Sequence, residues 1–168
     1  MIRRMVSIHD PGHDAMPGRE QRDGFRSRRL FLGRRAGARR LGASLWELPP
    51  GEAAYPYHFH LSEEELVLVL AGSGRLRGPD GWRPLAEGEV VSFPVGEEGG
   101  HQILNDGDVP LRFLAISTNG APDIVVYPDS DKLGAFERRA DGGGIWELYR
   151  RGEQATYWDG EEPPAGGR

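Results

Sequence analysis

The sequence predicts an all-β protein arranged as an antiparallel sandwich or barrel. Short apolar segments recur at a spacing of roughly 8–12 residues, with glycine, proline or asparagine turns between them. The 168 residues include 25 glycines and 13 prolines, a content that suits many short strands better than helices. Because no long segment has the period of an amphipathic helix, strands are expected to form the core.

One domain with short extensions is expected from a chain of this length. Residues 1–27 mix glycine, proline, histidine and arginine without periodicity, which predicts a loose basic arm. The barrel is assigned to residues 28–128 and a C-terminal extension to residues 129–168. From Glu161 onward the tail consists mostly of glutamate, proline and glycine and is expected to be disordered.

The predicted strands follow one another through the middle of the chain. Turn signals rich in proline, glycine, asparagine or aspartate lie at 49–51, 79–81 and 105–108. Only 131–139 and the neighbourhood of 145–151 have a helical pattern. The predicted strands are 41–48, 65–70, 75–77, 82–85, 90–93, 101–104 and 111–117.

The charge balance is mildly acidic. The chain has 21 lysines and arginines against 26 aspartates and glutamates, a formal net charge of -5, which argues against nucleic acid as the main partner. Residues 1–40 hold eleven arginines and four acidic residues. This arm could bind a polyanion or could fold back on the acidic body.

Simple counts exclude several classes of protein. The absence of cysteine excludes a disulfide scaffold, a thiolate metal site, an iron–sulfur cluster and a cysteine nucleophile. No apolar stretch approaches the roughly 18 residues that a membrane span requires. Residues 27–32 resemble a twin-arginine export signal, but further arginines follow at once, where such a signal needs an apolar stretch. We therefore expect a cytoplasmic protein without a membrane partner.

A pair of histidines marks the candidate site. His58 and His60 flank Phe59 in an extended segment, so both imidazoles project from one face. Glu65 opens the next predicted strand past a hairpin and can come alongside them. Two imidazoles and a carboxylate on one face form a candidate divalent metal site. The alternative is a surface strand with two solvated histidines beside an acidic hairpin.

The wider spacing of these residues resembles the two signatures of the cupin family. One gap in each signature is longer than usual, and both gaps lie in predicted loops, where additional residues cost little. The resemblance covers about residues 40–118. The residues that carry it are Gly51, His58, His60, Glu65 and Gly72 in the first signature and Gly88, Pro94, Gly96, His101 and Asn105 in the second.

This resemblance implies a double-stranded β-helix, the jelly-roll barrel of cupins, with one divalent transition metal ion in its mouth. Carried over position by position, the ligands are His58, His60, Glu65 and His101. Imidazole and carboxylate without thiolate suit iron, manganese, nickel, cobalt or zinc, and the ligand set does not choose among them. Four protein ligands on an octahedral ion leave two positions for substrate and for water or dioxygen.

Glu64 is the rival for the carboxylate ligand, because the family permits either spacing. Glu65 is favoured, since Val67 and Val69 then share its inward face, and Glu64 becomes the candidate general base. The other face of this strand is also apolar, which predicts that another sheet or a second subunit covers it. We therefore expect a homodimer. The residues on that outer face are Leu66, Leu68 and Leu70.

Further candidates are assigned to a substrate pocket. Arg75 and Arg77 alternate on one strand and could bind a carboxylate or phosphate, the alternative being an exposed strand face. Tyr57 and Phe93 are candidates for the pocket wall, although aromatic rings in small barrels usually belong to the core.

The favoured function is a metal-dependent enzyme acting on a small polar organic molecule at a centre of three histidines and one glutamate. The reaction is expected to be of the isomerase or epimerase type, or of the dioxygenase type. The alternative is a non-catalytic module that binds or senses a small molecule. The fold by itself does not choose between them.

Overall fold

The computed structural model describes residues 5–9, 22–119, 122–137, 144–152 and 154–162. Within these ranges strands are the main regular elements, and no helix is long and apolar enough to cross a membrane. Single 3₁₀ turns at Glu97–Gly99 and Pro128–Ser130 precede the eighth and eleventh strands. The elements are β1 (Arg28–Leu30), α1 (Leu32–Ala36), β2 (Gly42–Leu48), β3 (Phe59–His60), β4 (Glu65–Ala71), β5 (Ser73–Gly78), β6 (Gly81–Ala86), β7 (Val90–Phe93), β8 (Gln102–Leu104), β9 (Leu111–Ser117), β10 (Asp123–Tyr127), β11 (Lys132–Phe136) and β12 (Trp146–Arg150).

The strands form three antiparallel sheets. A five-stranded sheet has the order β1-β2-β9-β4-β7, a four-stranded sheet has the order β12-β11-β10-β3, and a three-stranded sheet has the order β6-β5-β8. An isolated bridge from His58 to His101 joins the residues that precede β3 and β8, and a second bridge joins Ala53 to Leu104 of β8. The predicted all-β barrel is therefore confirmed.

The main core is built from the five-stranded and three-stranded sheets. In β4 the expected alternation is observed, because Val67 and Val69 are each 1% exposed while the leucines of the other face are half-buried. Phe113 of β9 stacks on Trp46 of β2 with ring centroids 6.0 Å apart. Each apolar side chain of this size stabilises the fold by roughly 1.5–3 kcal/mol when it is buried. The other members of this core are Leu48, Ala54, Leu76, Leu85, Phe93, Ile103 and Leu111.

Asn105 fixes the turn between β8 and β9. The side chain is fully buried, and its amide nitrogen donates to the carbonyl oxygens of Leu48 at 2.8 Å and Val109 at 2.9 Å. Its Oδ1 accepts a hydrogen bond from the backbone N–H of Gly107 at 3.0 Å. These bonds satisfy the buried amide and close the predicted turn, so the asparagine of the second signature has a structural role.

Part of the predicted N-terminal arm is anchored to the barrel. The backbone N–H and the guanidinium Nε of Arg26 donate to the buried carboxylate of Glu52 at 2.8 and 2.7 Å. The hydrogen bond from the Arg26 backbone holds the pKa of Glu52 below its usual range. β1 then pairs with β2, so this end of the arm leads directly into the five-stranded sheet. Residues 1–4 and 10–21 of the arm lie outside the described residues.

The two segments predicted to be helical are strands, so that prediction is wrong. β11 pairs with β10, and β12 pairs with β11 so that Trp146 lies opposite Phe136 with ring centroids 4.4 Å apart. Cross-strand contacts of this kind stabilise a sheet and override a weak local helix propensity. The four-stranded sheet thus continues past residue 128. Residues 163–168 of the tail lie outside the described residues.

Candidate metal centre

The two histidine motifs meet because their backbones pair. The N–H of His101 donates to the carbonyl oxygen of His58 at 2.9 Å, and the N–H of His58 donates to the carbonyl oxygen of His101 at 3.2 Å. His60 lies on β3 opposite Val125 of β10. Glu65 begins β4 in the five-stranded sheet. Strand pairing therefore brings together side chains that are far apart in the sequence.

All four residues predicted as ligands lie in one cluster. The Nε2 atoms of His58 and His60 are 3.1 Å apart. Oε2 of Glu65 lies 3.4 Å from Nε2 of His60 and 3.3 Å from Nε2 of His101. The three imidazoles are buried, whereas the carboxylate is partly exposed. The donor atoms of His58, His60 and Glu65 thus lie within 4.8 Å of one another, and His101 adjoins this group through Glu65.

The outer ring nitrogens determine where the imidazole protons lie. Nδ1 of His58 is 3.0 Å from the carbonyl oxygen of Pro56, and Nδ1 of His101 is 2.9 Å from the carbonyl oxygen of Gly99. Because a carbonyl oxygen only accepts, each Nδ1 carries the hydrogen. In the neutral rings both Nε2 atoms therefore present lone pairs to the cluster, as metal-ligating histidines do.

Asp123 orients the third imidazole. Its Oδ2 lies 2.5 Å from Nδ1 of His60, and its Oδ1 accepts hydrogen bonds from the hydroxyl and the backbone N–H of Ser62 at 2.9 and 3.2 Å. The aspartate is 1% exposed, so water does not compete for these contacts. A carboxylate behind the ring fixes its tautomer and increases the basicity of the inward nitrogen.

The cluster fits a divalent transition metal ion. The Nε2 atoms of His58 and His60 lie 3.1 Å apart, a spacing at which both can bind one cation when the proton between them is lost. Nε2 of His101 is buried and has no hydrogen-bond partner among the described residues. Nitrogen and carboxylate donors without sulfur match the ions predicted from the sequence.

The charges in the cluster affect one another strongly. Burial lowers the pKa of His58 well below 6.5, and the neighbouring imidazoles act in the same direction. Burial also acts to lower the pKa of His60, but Asp123 and Glu65 outweigh it and raise that pKa to about 10. Burial opposes ionisation of Glu65, yet the neighbouring imidazoles of His101 and His60 hold its pKa well below 4.5. Glu65 is therefore ionised and available as an anionic ligand.

Aromatic rings hold the imidazoles in place. Phe93 stacks on His101 with centroids 3.8 Å apart and planes at 10°. Tyr55 meets His58 and His101 edge to face at 4.8 and 5.4 Å. Such packing restricts ring rotation, so the donor atoms are ordered before any ion arrives. Phe93, predicted as a pocket wall, thus lies behind a proposed ligand.

Comparison with known proteins agrees with this fold. The Cupin domain family matches residues 44–117. A protein from Acidithiobacillus ferrooxidans, provisionally described as a sugar phosphate isomerase, is 33% identical over 77% of this chain and 80% of its own, with a TM-score of 0.67. A sugar phosphate isomerase from a cupin superfamily, from Silicibacter pomeroyi, is 29% identical over 82% of this chain and 83% of its own, with a TM-score of 0.70. The chain belongs to the cupin superfamily.

A third similar structure has a different activity. The polyketide cyclase RemF from Streptomyces resistomycificus is 29% identical over 68% of this chain and 79% of its own, with a TM-score of 0.54. Among curated proteins, none matches the sequence significantly. Membership of the cupin superfamily therefore indicates the fold and the type of site, but it does not identify the substrate.

A pocket of about 300 Å³ opens beside the cluster of this cupin. The proposed ligands His58, His60 and Glu65 contribute to its lining. Besides aliphatic residues, the rest of the wall includes aromatic rings and two cationic side chains. These residues are Trp46, Tyr55, Tyr127, Phe136 and Trp146, with the cations Arg29 and Lys132.

The two arginines predicted to line the pocket lie outside this lining. Arg77 forms two hydrogen bonds with the carboxylate of Asp129, at 2.5 and 2.9 Å, and its guanidinium lies 4.3 Å from the ring centroid of Tyr57. The side chain of Arg75 is 45% exposed. The structure therefore gathers Arg77 and Tyr57 into a separate surface contact rather than into the pocket.

Glu64, the predicted general base, is also outside the pocket lining. Its side chain is exposed, and its backbone exchanges hydrogen bonds with Thr118. Successive residues of an extended chain point in opposite directions, so Glu64 faces away when Glu65 faces the histidines. The structure does not bring Glu64 to the cluster.

Several residues around the candidate site are not predicted from the sequence. Asp123, Arg29, Tyr127 and Lys132 lie outside both signatures and outside the matched domain. Asp123 has one local signal, an acidic residue at the start of the apolar run 124–127, where an unpaired carboxylate would be costly to bury. The others are recognisable only after the sheets are assembled.

Proposed function

We propose that this cupin is a metal-dependent isomerase that acts on a small polyhydroxy carbonyl compound. The observation that carries the proposal is the group formed by His58, His60 and Glu65, with His101 against the carboxylate, beside a pocket of about 300 Å³. A pocket of this volume is at the small end of ligand sites and suits a molecule the size of a sugar. The two similar structures described as sugar phosphate isomerases support the same class of reaction.

The proposed ligands are His58, His60, Glu65 and His101. A divalent ion held by them supplies Lewis acidity toward a carbonyl or hydroxyl oxygen of the substrate. Iron, manganese, nickel, cobalt and zinc all accept this donor set. The role of the protein is to keep the donors ordered, through Asp123 and the rings around them, and to surround the substrate with apolar walls.

Isomerisation also requires a group that takes a proton from one carbon and returns it to its neighbour. Among the described residues of the lining other than the proposed ligands, Tyr55, Tyr127 and Lys132 can exchange a proton near neutral or alkaline pH. Nζ of Lys132 lies 5.4 Å from the ring centroid of Tyr127, whose ring stacks on that of His58 with centroids 5.8 Å apart. We assign the proton transfer to the phenol oxygen of Tyr127.

Proton NMR in heavy water tests this function. Metal-loaded protein is incubated with a panel of aldoses and aldose phosphates, and we expect deuterium at the carbon next to the carbonyl together with the corresponding ketose. Tyr127→Phe is expected to slow the exchange by roughly 100- to 10,000-fold without loss of metal, because only the proton-transfer group is removed. Tyr55→Phe is the matched control and is expected to retain most of the rate.

Two other outcomes would assign a different function. Dioxygen consumption by the iron-loaded protein, with no deuterium incorporated from any member of the panel, would make the protein a dioxygenase. Tight binding of a panel member without any turnover would make it a binding or sensing module.

We also propose that a second copy of the chain covers the outer face of the five-stranded sheet. On that face Leu66 and Leu68 lie beside Ile116 and Leu114, and Val90 lies opposite Leu68. Val90 is 60% exposed and the other four are half-buried, so the face presents a continuous apolar strip. Light scattering is expected to give twice the 18.6 kDa mass of the chain, and Leu68→Glu is expected to give a monomer with unchanged metal content. A monomeric wild type would contradict the proposal.

A further inference from the structure

We propose that Arg77 is a positioning residue for His101, a proposed metal ligand, and that it acts through the ring of Tyr57. Neither Arg77 nor Tyr57 belongs to the pocket lining, yet both adjoin the histidines along the chain or across a strand. Tyr57 directly precedes His58. Arg77 of β5 lies opposite Gln102, the residue after His101. The inference rests on the proposed metal centre but not on the proposed reaction, because its tests use a metal ion alone or no ligand.

The ring of Tyr57 packs against the peptide group that orients His101. The carbonyl oxygen of Gly99 accepts the hydrogen bond from Nδ1 of His101 at 2.9 Å. The same peptide group continues into Gly100, and the tyrosine lies so close to this residue that a methyl group added to it would overlap the hydroxyl and lie 2.8 Å from Cζ. Because atoms in a packed interior yield little, the position of the ring limits where the carbonyl of Gly99 can lie.

The segment before the histidine has little freedom to move away from the ring. The backbone N–H of Gly100 donates to the carbonyl oxygen of Glu97 at 3.0 Å and so closes the 3₁₀ turn. Gly99 is packed so closely that a methyl group added to it would overlap the carbonyl oxygen of Pro94. Both glycines are buried. A change in the position of the tyrosine ring is therefore expected to move the imidazole of His101 rather than to be absorbed within the turn.

Arg77 holds the ring of Tyr57 in place. The carbon of its guanidinium group lies 4.3 Å from the ring centroid. Its two terminal nitrogens donate to the two carboxylate oxygens of Asp129 at 2.5 and 2.9 Å. A bidentate ion pair of this kind fixes the plane of the guanidinium group, and a fixed cation over an aromatic face restricts the ring. Asp129 therefore orients the arginine, and the arginine orients the tyrosine.

A second arginine on the same strand supplies a matched comparison. Arg75 of β5 also lies over an aromatic ring, with its guanidinium carbon 5.4 Å from the centroid of Trp82, and its Nε is 3.9 Å from the carboxylate of Asp106. Trp82 lies on β6 and is neither a proposed ligand nor part of the pocket lining. Of the two aromatic rings, that of Tyr57 is the one packed against Gly100. A comparison of the two arginines therefore separates positioning of the histidine from the loss of a positive charge.

Titration with cobalt(II) tests the inference, because the donor set accepts this ion and its visible absorption depends on coordination geometry. Arg77→Met keeps an unbranched side chain and removes the cation. We expect it to weaken cobalt binding by roughly 2- to 30-fold, the range that corresponds to a cation–π contact, and to shift the visible bands. Tyr57→Leu is expected to do the same, whereas Tyr57→Phe retains the ring and is expected to resemble the wild type. Arg75→Met is the matched control and is expected to bind cobalt like the wild type, with the same spectrum.

A double variant separates positioning from general destabilisation. Because Arg77 acts through the ring, we expect Arg77→Met to add no further loss of cobalt affinity in a protein that already carries Tyr57→Leu. Losses that add in the double variant would indicate two separate structural effects and would overturn the proposed route through the tyrosine. The thermal unfolding midpoint of each metal-free variant serves as the check that it is folded.

Hydrogen exchange in the metal-free protein gives a second test. The N–H groups of His58 and His101 each donate to the carbonyl oxygen of the other, so their exchange rates report the pairing of the two segments. We expect Arg77→Met to accelerate exchange at both amides and Arg75→Met to leave it unchanged. Unchanged cobalt affinity, spectrum and exchange in Arg77→Met would overturn the inference, as would equal effects in Arg75→Met. A wild type that binds no cobalt would refute the metal centre, and the exchange rates alone would then decide whether Arg77 positions His101.

Discussion

Replacement of His101 by alanine is expected to abolish metal binding. The substitution removes one of four donors and leaves a cavity between Phe93 and the other imidazoles. We expect the loss of affinity to exceed the roughly 10- to 100-fold that accompanies loss of a partner behind a ligand. The measurement is elemental analysis of protein purified without a metal-binding tag, in which the wild type is expected to hold close to one transition ion per chain.

His58→Ala is expected to behave in the same way, whereas His9→Ala is the matched control. His9 is exposed in the N-terminal segment, and its removal should leave the metal content unchanged. A wild-type protein that is free of metal and cannot be loaded would exclude the metal centre. The barrel would then be better regarded as a ligand-binding module. The identity of the bound ion also directs the choice of substrates, because iron favours dioxygen chemistry and the other ions favour isomerase or lyase chemistry.

Replacement of Asp123 by asparagine is expected to weaken metal affinity by roughly 10- to 100-fold while the fold is preserved. The amide has the same shape as the carboxylate and can still accept the hydrogen bond from Nδ1 of His60. It lacks the negative charge that makes the inward nitrogen basic. Competition with a chelator of known affinity gives the change in Kd, and the thermal unfolding midpoint shows whether the variant is folded.

Ser62→Ala supplies the graded control for this experiment. The serine hydroxyl donates to the other carboxylate oxygen of Asp123, so its loss should reduce metal affinity less than Asp123→Asn does. Equal affinity in wild type and Asp123→Asn would show that the carboxylate has only a structural role. Metal affinity that decreases in the order wild type, Ser62→Ala, Asp123→Asn would indicate that the charge of Asp123 acts through His60.

Much of the fold was predictable because its strands alternate and end at strong turn signals. β7 and β9 begin and end at the predicted residues, and β2 and β4 differ by one residue from the prediction. The failures lie in β11 and β12, whose sequences have a weak helical pattern. They become strands because β11 pairs with the edge of β10 and β12 then pairs with β11. The local sequence does not show that this edge is available.

The proposed ligands were predictable for a different reason. Their spacing repeats two signatures, and the bridge between His58 and His101 explains why the signatures must come together. The pocket was not predictable in the same way. Arg75 and Arg77 have the alternation of a binding strand but lie outside the lining, whereas Arg29 and Lys132 have no pattern and reach the pocket only through sheet assembly.

Because β3 pairs with β10, the proposed metal ligands and much of the pocket wall come from separate parts of the chain. The proposed metal ligands lie at residues 58–101, inside the matched domain, whereas the lining residues Tyr127, Lys132, Phe136 and Trp146 lie on β10, β11 and β12, which follow it. Replacement of β10, β11 and β12 by other strands would change which molecule fits the pocket, whereas the proposed metal ligands would stay the same. Substrate preference in such a barrel can therefore diverge quickly while the reactive centre is inherited unchanged.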